Sequence, residues 1–175
     1  MFKPIRKGRG GIEMKPVLIS IQRPHTDNIK ALIKKIEIRK NKPNQETPFP
    51  CFIYETKTKG GCGKVIGEFV CDSIIDFWCE KGFYLPTGRL KLDTCLNNTE
   101  FYEYGKGKAL YGWHISDLKI YDKPKELNDF CKPCPMDNKY NCLRCEYYSD
   151  YSGVCMNYVN RPPQSWCYVE KNEEE

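Results

Sequence analysis

Long apolar runs are absent from the 175-residue sequence. None approaches the roughly 18 consecutive apolar residues that a membrane-spanning helix needs. The basic N-terminus is not followed by an apolar segment, so it does not read as a secretory signal, and a cytoplasmic protein without a membrane partner is expected. Acidic residues are scarce at the front: residues 1–45 hold 12 Lys/Arg against three acids, Glu13, Asp27 and Glu37. The rest of the chain holds 16 against 20, so the net charge of +5 conceals a strongly basic front. That favours an anionic partner, nucleic acid first, although a solubilising tail has the same composition. Histidine is scarcer still. Only His25 and His114 occur, which leaves no evident histidine pair to move protons at neutral pH.

The length suits one packed domain with a small appendage. Residues 1–13, with four basic side chains and Gly10-Gly11, read as a flexible tail, and the domain begins at Met14. Val17-Leu-Ile-Ser-Ile21 is a strand buried on both faces. Pro24 opens a short helix over about 24–33, with Ile29, Leu32 and Ile33 at helical spacing. His25 reads as a solvent-facing helix-start residue, with a ligand or base as its other reading.

The organising stretch follows: Lys34-Lys-Ile-Glu-Ile-Arg-Lys40. At strand period two, Ile36 and Ile38 enter a core while Lys35, Glu37 and Arg39 share the opposite face. Acid and base side by side on a strand can bind a polar ligand or move a proton, and can equally form a solvated edge.

Residues 41–50, with three prolines, read as a loop, and Cys51–Thr56 as a strand. Lys64–Ile75 is a longer strand in which Gly67 marks a bulge or a close backbone approach. Lys64 and Glu68 are expected on one face of it, within reach of Glu37. Residues 76–94 read as loop with some helix. Asn97-Asn98-Thr99 caps a short helix over Glu100–Tyr104 that Gly105 closes. Ala109–Tyr121 is a strand bent at Gly112 and stopped by Pro124, with Trp113 and His114 on opposite faces. His114 is a candidate base or a strand histidine with its hydrogen bond satisfied.

Eleven cysteines without an export signal, and in odd number, argue against a disulfide framework. Cys51, Cys62, Cys71, Cys79 and Cys95 are scattered singly and read as buried or incidental thiols. Cys131-x2-Cys134-x7-Cys142-x2-Cys145-x9-Cys155 is different, because two C-x2-C pairs bring thiolates together in tight turns suited to tetrahedral zinc. Cys134, Cys142, Cys145 and Cys155 are the expected ligands of a structural Zn2+, with Cys131 in reserve; reduced thiols or a disulfide remain the other readings. The stretch 161–170, including Cys167, returns as a strand, and 171–175 is an acidic tail.

Together the blocks resemble a known family. Lys15-Pro-Val-Leu-Ile-Ser-Ile, a short helix and Lys34-Lys-Ile-Glu-Ile-Arg-Lys look like the opening of ASCH domains, members of the PUA-like superfamily. Gly63-Lys-Val-Ile-Gly-Glu-Phe, His114-Ile-Ser-Asp-Leu-Lys-Ile-Tyr-Asp-Lys-Pro and Pro163-Gln-Ser-Trp-Cys-Tyr-Val-Glu resemble later blocks of phage- and Firmicute-type members, which commonly carry a cysteine-rich insert. The resemblance implies an α+β fold: a small, partly open PUA-like β-barrel with short flanking helices and a zinc-binding C-terminal insert. Its parts would be an ASCH domain over 14–130, the insert over 131–160 and a closing strand over 161–170. In the family's Gly-x-Lys-Thr motif Lys34 matches the lysine, while Leu32 replaces glycine and Lys35 replaces threonine. A small ASCH enzyme that deacylates acetylated cytidine uses a lysine and a threonine from this segment. Glu37 occupies that threonine's place, so its nucleophile is missing here.

The resemblance also implies RNA-related work. The leading expectation is an RNA- or nucleotide-binding module whose cleft uses Lys34, Lys35, Arg39 and Lys40 on phosphate and a base edge, with Tyr54 or Trp113 stacking on an unpaired base. The alternative is a metal-independent ribonuclease with Glu37 as base and Lys34 and Arg39 stabilising charge on the phosphate. A zinc-stabilised protein-interaction module, such as a phage factor acting on a host protein, is the third reading.

Overall fold

The computed structural model describes residues 14–80, 83–85, 89–133, 148–149, 154–155 and 157–171. Most of the insert (134–147, 150–153 and 156) and both tails (1–13 and 172–175) lie outside them.

The apolar, mostly β-branched run Val17–Ile21 (β1) is buried at every position, as expected of a strand covered on both faces. The helix that follows is shorter than its apolar spacing suggests: His25–Lys30 (α1). Ile36–Arg39 (β2) is next, and Phe49–Glu55 (β3) begins inside the proline-rich stretch and runs parallel to β1.

Two long strands carry the fold. Lys64–Glu80 (β4) continues five residues past Ile75, because Trp78, Cys79 and Glu80 pair with a further short strand, Phe83–Leu85 (β5). The stretch 76–94, expected as loop with some helix, is strand at 76–80 and 83–85 and has one helical turn, Arg89–Leu92 (α2). Asn97 caps the helix Asn98–Gly105 (α3) with a reciprocal pair of bonds to Glu100, the arrangement its sequence signals. Leu110–Lys125 (β6) passes through Pro124, which was expected to stop it. The ladder to β4 shifts register between Val65 and Gly67, so the missing proline N–H falls in an irregular stretch of pairing. Gly67 shows the close approach expected of it: a Cβ there would lie 2.5 Å from the Lys119 carbonyl oxygen.

Phe130–Cys131 (β7) pairs with Glu170–Lys171 (β11), Tyr148–Ser149 (β8) with Val154–Cys155 (β9), and Trp166–Tyr168 (β10) returns antiparallel to β1. The main mixed sheet runs β10-β1-β3-β4-β6-β2, with β5 attached to β4, and curls into a half-barrel. One core cluster joins β1, α1, β3, β4 and Trp113; another packs Ile36 and Ile38 against Phe77, Phe101 and Leu110. No helix among the described residues is long and apolar enough to cross a membrane.

Candidate nucleic-acid interface

The site is set by the way α1 turns into β2. Leu32 has φ 60°, and the amides of Ile33 and Lys34 both donate to the Asn28 carbonyl, at 2.9 and 3.0 Å. This tight reversal ends the helix before Ile33 and directs Lys34 inward. A left-handed conformation costs a residue with a Cβ on the order of 1–2 kcal/mol. The turn thus supplies a physical reason for glycine at the matching position of the ASCH motif: Leu32 adopts a conformation that glycine takes freely.

β2 alternates as its sequence requires, but its charged face is not a solvated edge. Lys34, Glu37 and Arg39 are only 2%, 6% and 6% exposed. Arg39 Nη2 lies 3.0 Å from Glu37 Oε1 and donates to the Ser20 carbonyl at 2.6 Å, while Lys34 Nζ lies 3.4 Å from Glu37 Oε2 and donates to the Thr94 carbonyl at 2.5 Å. The three side chains line a cleft of about 640 Å³ together with His25 of α1, Glu100, Glu103 and Tyr104 of α3, Lys59, and Gln164 ahead of β10.

Burial by itself would penalise the Glu37 charge, but Lys34 and Arg39 outweigh that penalty and hold its carboxyl below the ordinary range. Burial lowers the pKa of His25 below the ordinary histidine range; Glu37 opposes the shift and Lys34 adds to it, and the net lowering favours the neutral imidazole at pH 7. Three buried polar atoms among these residues lack a well-formed hydrogen bond: His25 Nδ1, Arg39 Nε and Glu37 Oε2, the last with only the long contact to the Lys34 ammonium at 3.4 Å. Such atoms are uncommon in native interiors and call for a ligand, an ordered water or strain to account for them.

Of the other residues expected at the site, Lys35 is exposed just before β2 and does not line the cleft. Lys40 is exposed beside it, with its ammonium 4.7 Å from the centre of the Tyr104 ring. Tyr54 faces a neighbouring cavity instead. Trp113 is fully buried between Phe49 and Trp166, with ring centres 5.6 and 6.0 Å away, which removes it as a stacking platform. Lys64 and Glu68 are not beside Glu37: Lys64 pairs with Glu126 at 2.5 Å, and Glu68 accepts from the Tyr121 hydroxyl at 2.7 Å. His114 pairs with Asp72 at 2.7 Å, away from the cleft.

Sequence reasoning put His25 first in solvent, with ligand or base as its other reading, and did not place Tyr104, Lys59, Glu100, Glu103 or Gln164 at the cleft. The only local signals were a histidine at the start of the helix leading into the motif and an aromatic residue at the end of a well-capped one. Cys134, Cys142 and Cys145 lie outside the described residues; of Cys155 the backbone alone is described, in β9. Cys131 is buried in β7 and bridged to Tyr158. Among the described residues no group of three or more His, Cys, Asp or Glu could hold a metal.

No family model matches the chain, and no curated protein does. Solved structures do. The ASCH protein from Zymomonas mobilis superposes with TM-score 0.59 at 18% identity, covering 90% of this chain and 89% of that one. Two single-residue variants of the same protein give 0.57 and 0.58, each at 17% identity. The chain has the ASCH fold.

Proposed function

We propose that this protein binds single-stranded RNA by taking an unpaired base into the cleft. The observation that carries this reading is the set of incompletely hydrogen-bonded polar atoms on Glu37, Arg39 and His25, buried in the walls of one cavity. An ionised carboxylate accepts and a guanidinium donates, so together they suit the hydrogen-bonding edge of a base. Charge points the same way. Lys34, Arg39 and Lys59 share the lining with Glu37, Glu100 and Glu103, so the cleft suits a neutral heterocycle better than a phosphate. Tyr104 offers a ring in the wall, and the exposed Lys40 and Lys59 offer phosphate contacts at the rim. The RNA-related work that the ASCH resemblance implies supports the same reading.

The test is binding of labelled single-stranded RNA, resolved on native and denaturing gels across a salt series. The expected result is a shifted complex without cleavage, weakened by salt and by Arg39→Ala. No shift at low salt would overturn the reading and direct attention to a protein partner.

One observation favours a second reading, that of a ribonuclease. Glu37 is a poor base there, because two cations hold it ionised and weakly basic. His25, its neutral form favoured at pH 7 in the same cleft, is better suited to take a 2′-hydroxyl proton, with Lys34 and Arg39 beside the phosphate. Cleavage that is lost in His25→Ala, and that falls as the pH drops below the ordinary histidine range, would establish it.

For the insert we propose structural zinc on Cys134, Cys142, Cys145 and Cys155, from their spacing alone. About one zinc per chain is expected by metal analysis, lost with Cys142→Ser. A metal-free purified protein would contradict it.

A further inference from the structure

A second cavity, of about 810 Å³, adjoins the cleft, and both are walled by Thr56, Thr58 and Pro162. Its lining includes apolar surface from Leu127, from Val159 and from the ring of Tyr54, the aromatic residue that the cleft does not use. Polar groups complete it: the side chains of Lys57, Asn128 and Asn160, all on exposed residues, make no hydrogen bond or ion pair within the described part of the chain. Glu126, the acid in this wall, is already engaged by Lys64.

We infer that this cavity is a second nucleotide subsite, which takes the residue adjacent to the base held in the cleft, so that the protein reads at least a dinucleotide. The inference rests on the base-binding reading of the cleft. The chemistry fits a nucleotide. An apolar floor accepts the face of a base, two free amides can each donate to and accept from its edge, and the Lys57 ammonium can meet a phosphate. The shared wall at Thr56–Thr58 lets one strand pass from one cavity to the other without crossing a buried core.

The experiment is calorimetric titration with uridine 5′-monophosphate and with uridylate di- and trinucleotides, repeated with the adenylate series, on wild type, Asn160→Trp and Lys57→Ala. Asn160→Trp fills the second cavity at an exposed position without changing charge, and unchanged thermal melting shows that it folds. The expected result is about tenfold tighter binding of dinucleotide than mononucleotide by wild type. That gain should be lost in Asn160→Trp, and reduced in Lys57→Ala, while mononucleotide affinity stays the same. A dinucleotide gain that survives Asn160→Trp, or no gain in wild type, would overturn the subsite and leave the cleft reading intact. No binding of any length at low salt would overturn both.

Discussion

Glu37 and Glu55 are two buried carboxylates on neighbouring parts of the fold, each beside a lysine, and they differ in how completely their oxygens are used. Glu55 accepts from the Thr26 hydroxyl, the Lys30 ammonium and the Cys62 amide, each at 2.8 Å. It pins α1 to β3 and to the turn after it. Glu37 has two cations at hand, yet Oε2 has only the long contact to the Lys34 ammonium, at 3.4 Å. A satisfied buried network rigidifies a fold, whereas a partly satisfied one is costly unless something else completes it. Glu55 therefore reads as framework and Glu37 as a site, even though the sequence around each is simply a strand with an acid in it.

The comparison can be broken at either end. The largest effect is expected at Glu55. Burial opposes its charge, but the hydrogen bonds from Lys30, Cys62 and Thr26 prevail and bring its pKa down to about 2. A carboxyl depressed in the folded state contributes stability that is fully present above its ordinary pKa of about 4.5 and fades as the pH falls toward 2. Glu55→Gln should therefore cost about 2–3 kcal/mol at pH 7 in denaturant unfolding. Its deficit against wild type should shrink steadily below pH 4.5, and a deficit independent of pH would show that the network is not what holds α1. Glu37→Gln should cost nearly as much, about 2 kcal/mol, because it leaves Lys34 and Arg39 buried without their counter-charge although both keep their bonds to the Thr94 and Ser20 carbonyls. The smallest effect is expected at Leu32, in the turn that joins the helix held by Glu55 to the strand bearing Glu37. Leu32→Gly should stabilise by about 0.5 kcal/mol, since relief of the left-handed strain slightly exceeds the entropy cost of glycine. A loss of stability there would mean that the exposed leucine side chain has a contact worth more than the strain.

Particular residues show what could be read from the chain and what could not. The buried run of β1, the cap at Asn97, the close approach at Gly67 and the alternation of β2 are local patterns, and each has its physical cause within a few residues. Whether the charged face of β2 meets water or a cleft depends on α3 and on the segment before β10, more than sixty residues away, and no local pattern encodes that. The same distance explains Trp113. Its aromatic character was legible, but its burial between Phe49 and Trp166 is a product of the sheet order. His25 entered the site because the α1–β2 reversal brings the start of the helix beside Lys34 and Glu37. The length of β4 was missed because its last residues find their partners only in β5.

The measurement that bears most directly on the central claim is a paired one on Glu37→Gln: thermal melting, with and without saturating single-stranded RNA, beside wild type. Ligand bound only to the folded state raises the melting temperature by an amount that grows with the logarithm of its concentration relative to Kd. The account predicts that RNA raises it for wild type, and that the rise is lost in Glu37→Gln although the variant alone still melts cooperatively as a folded protein. An equal rise in both proteins would contradict it, because Glu37 would then have no part in holding the base.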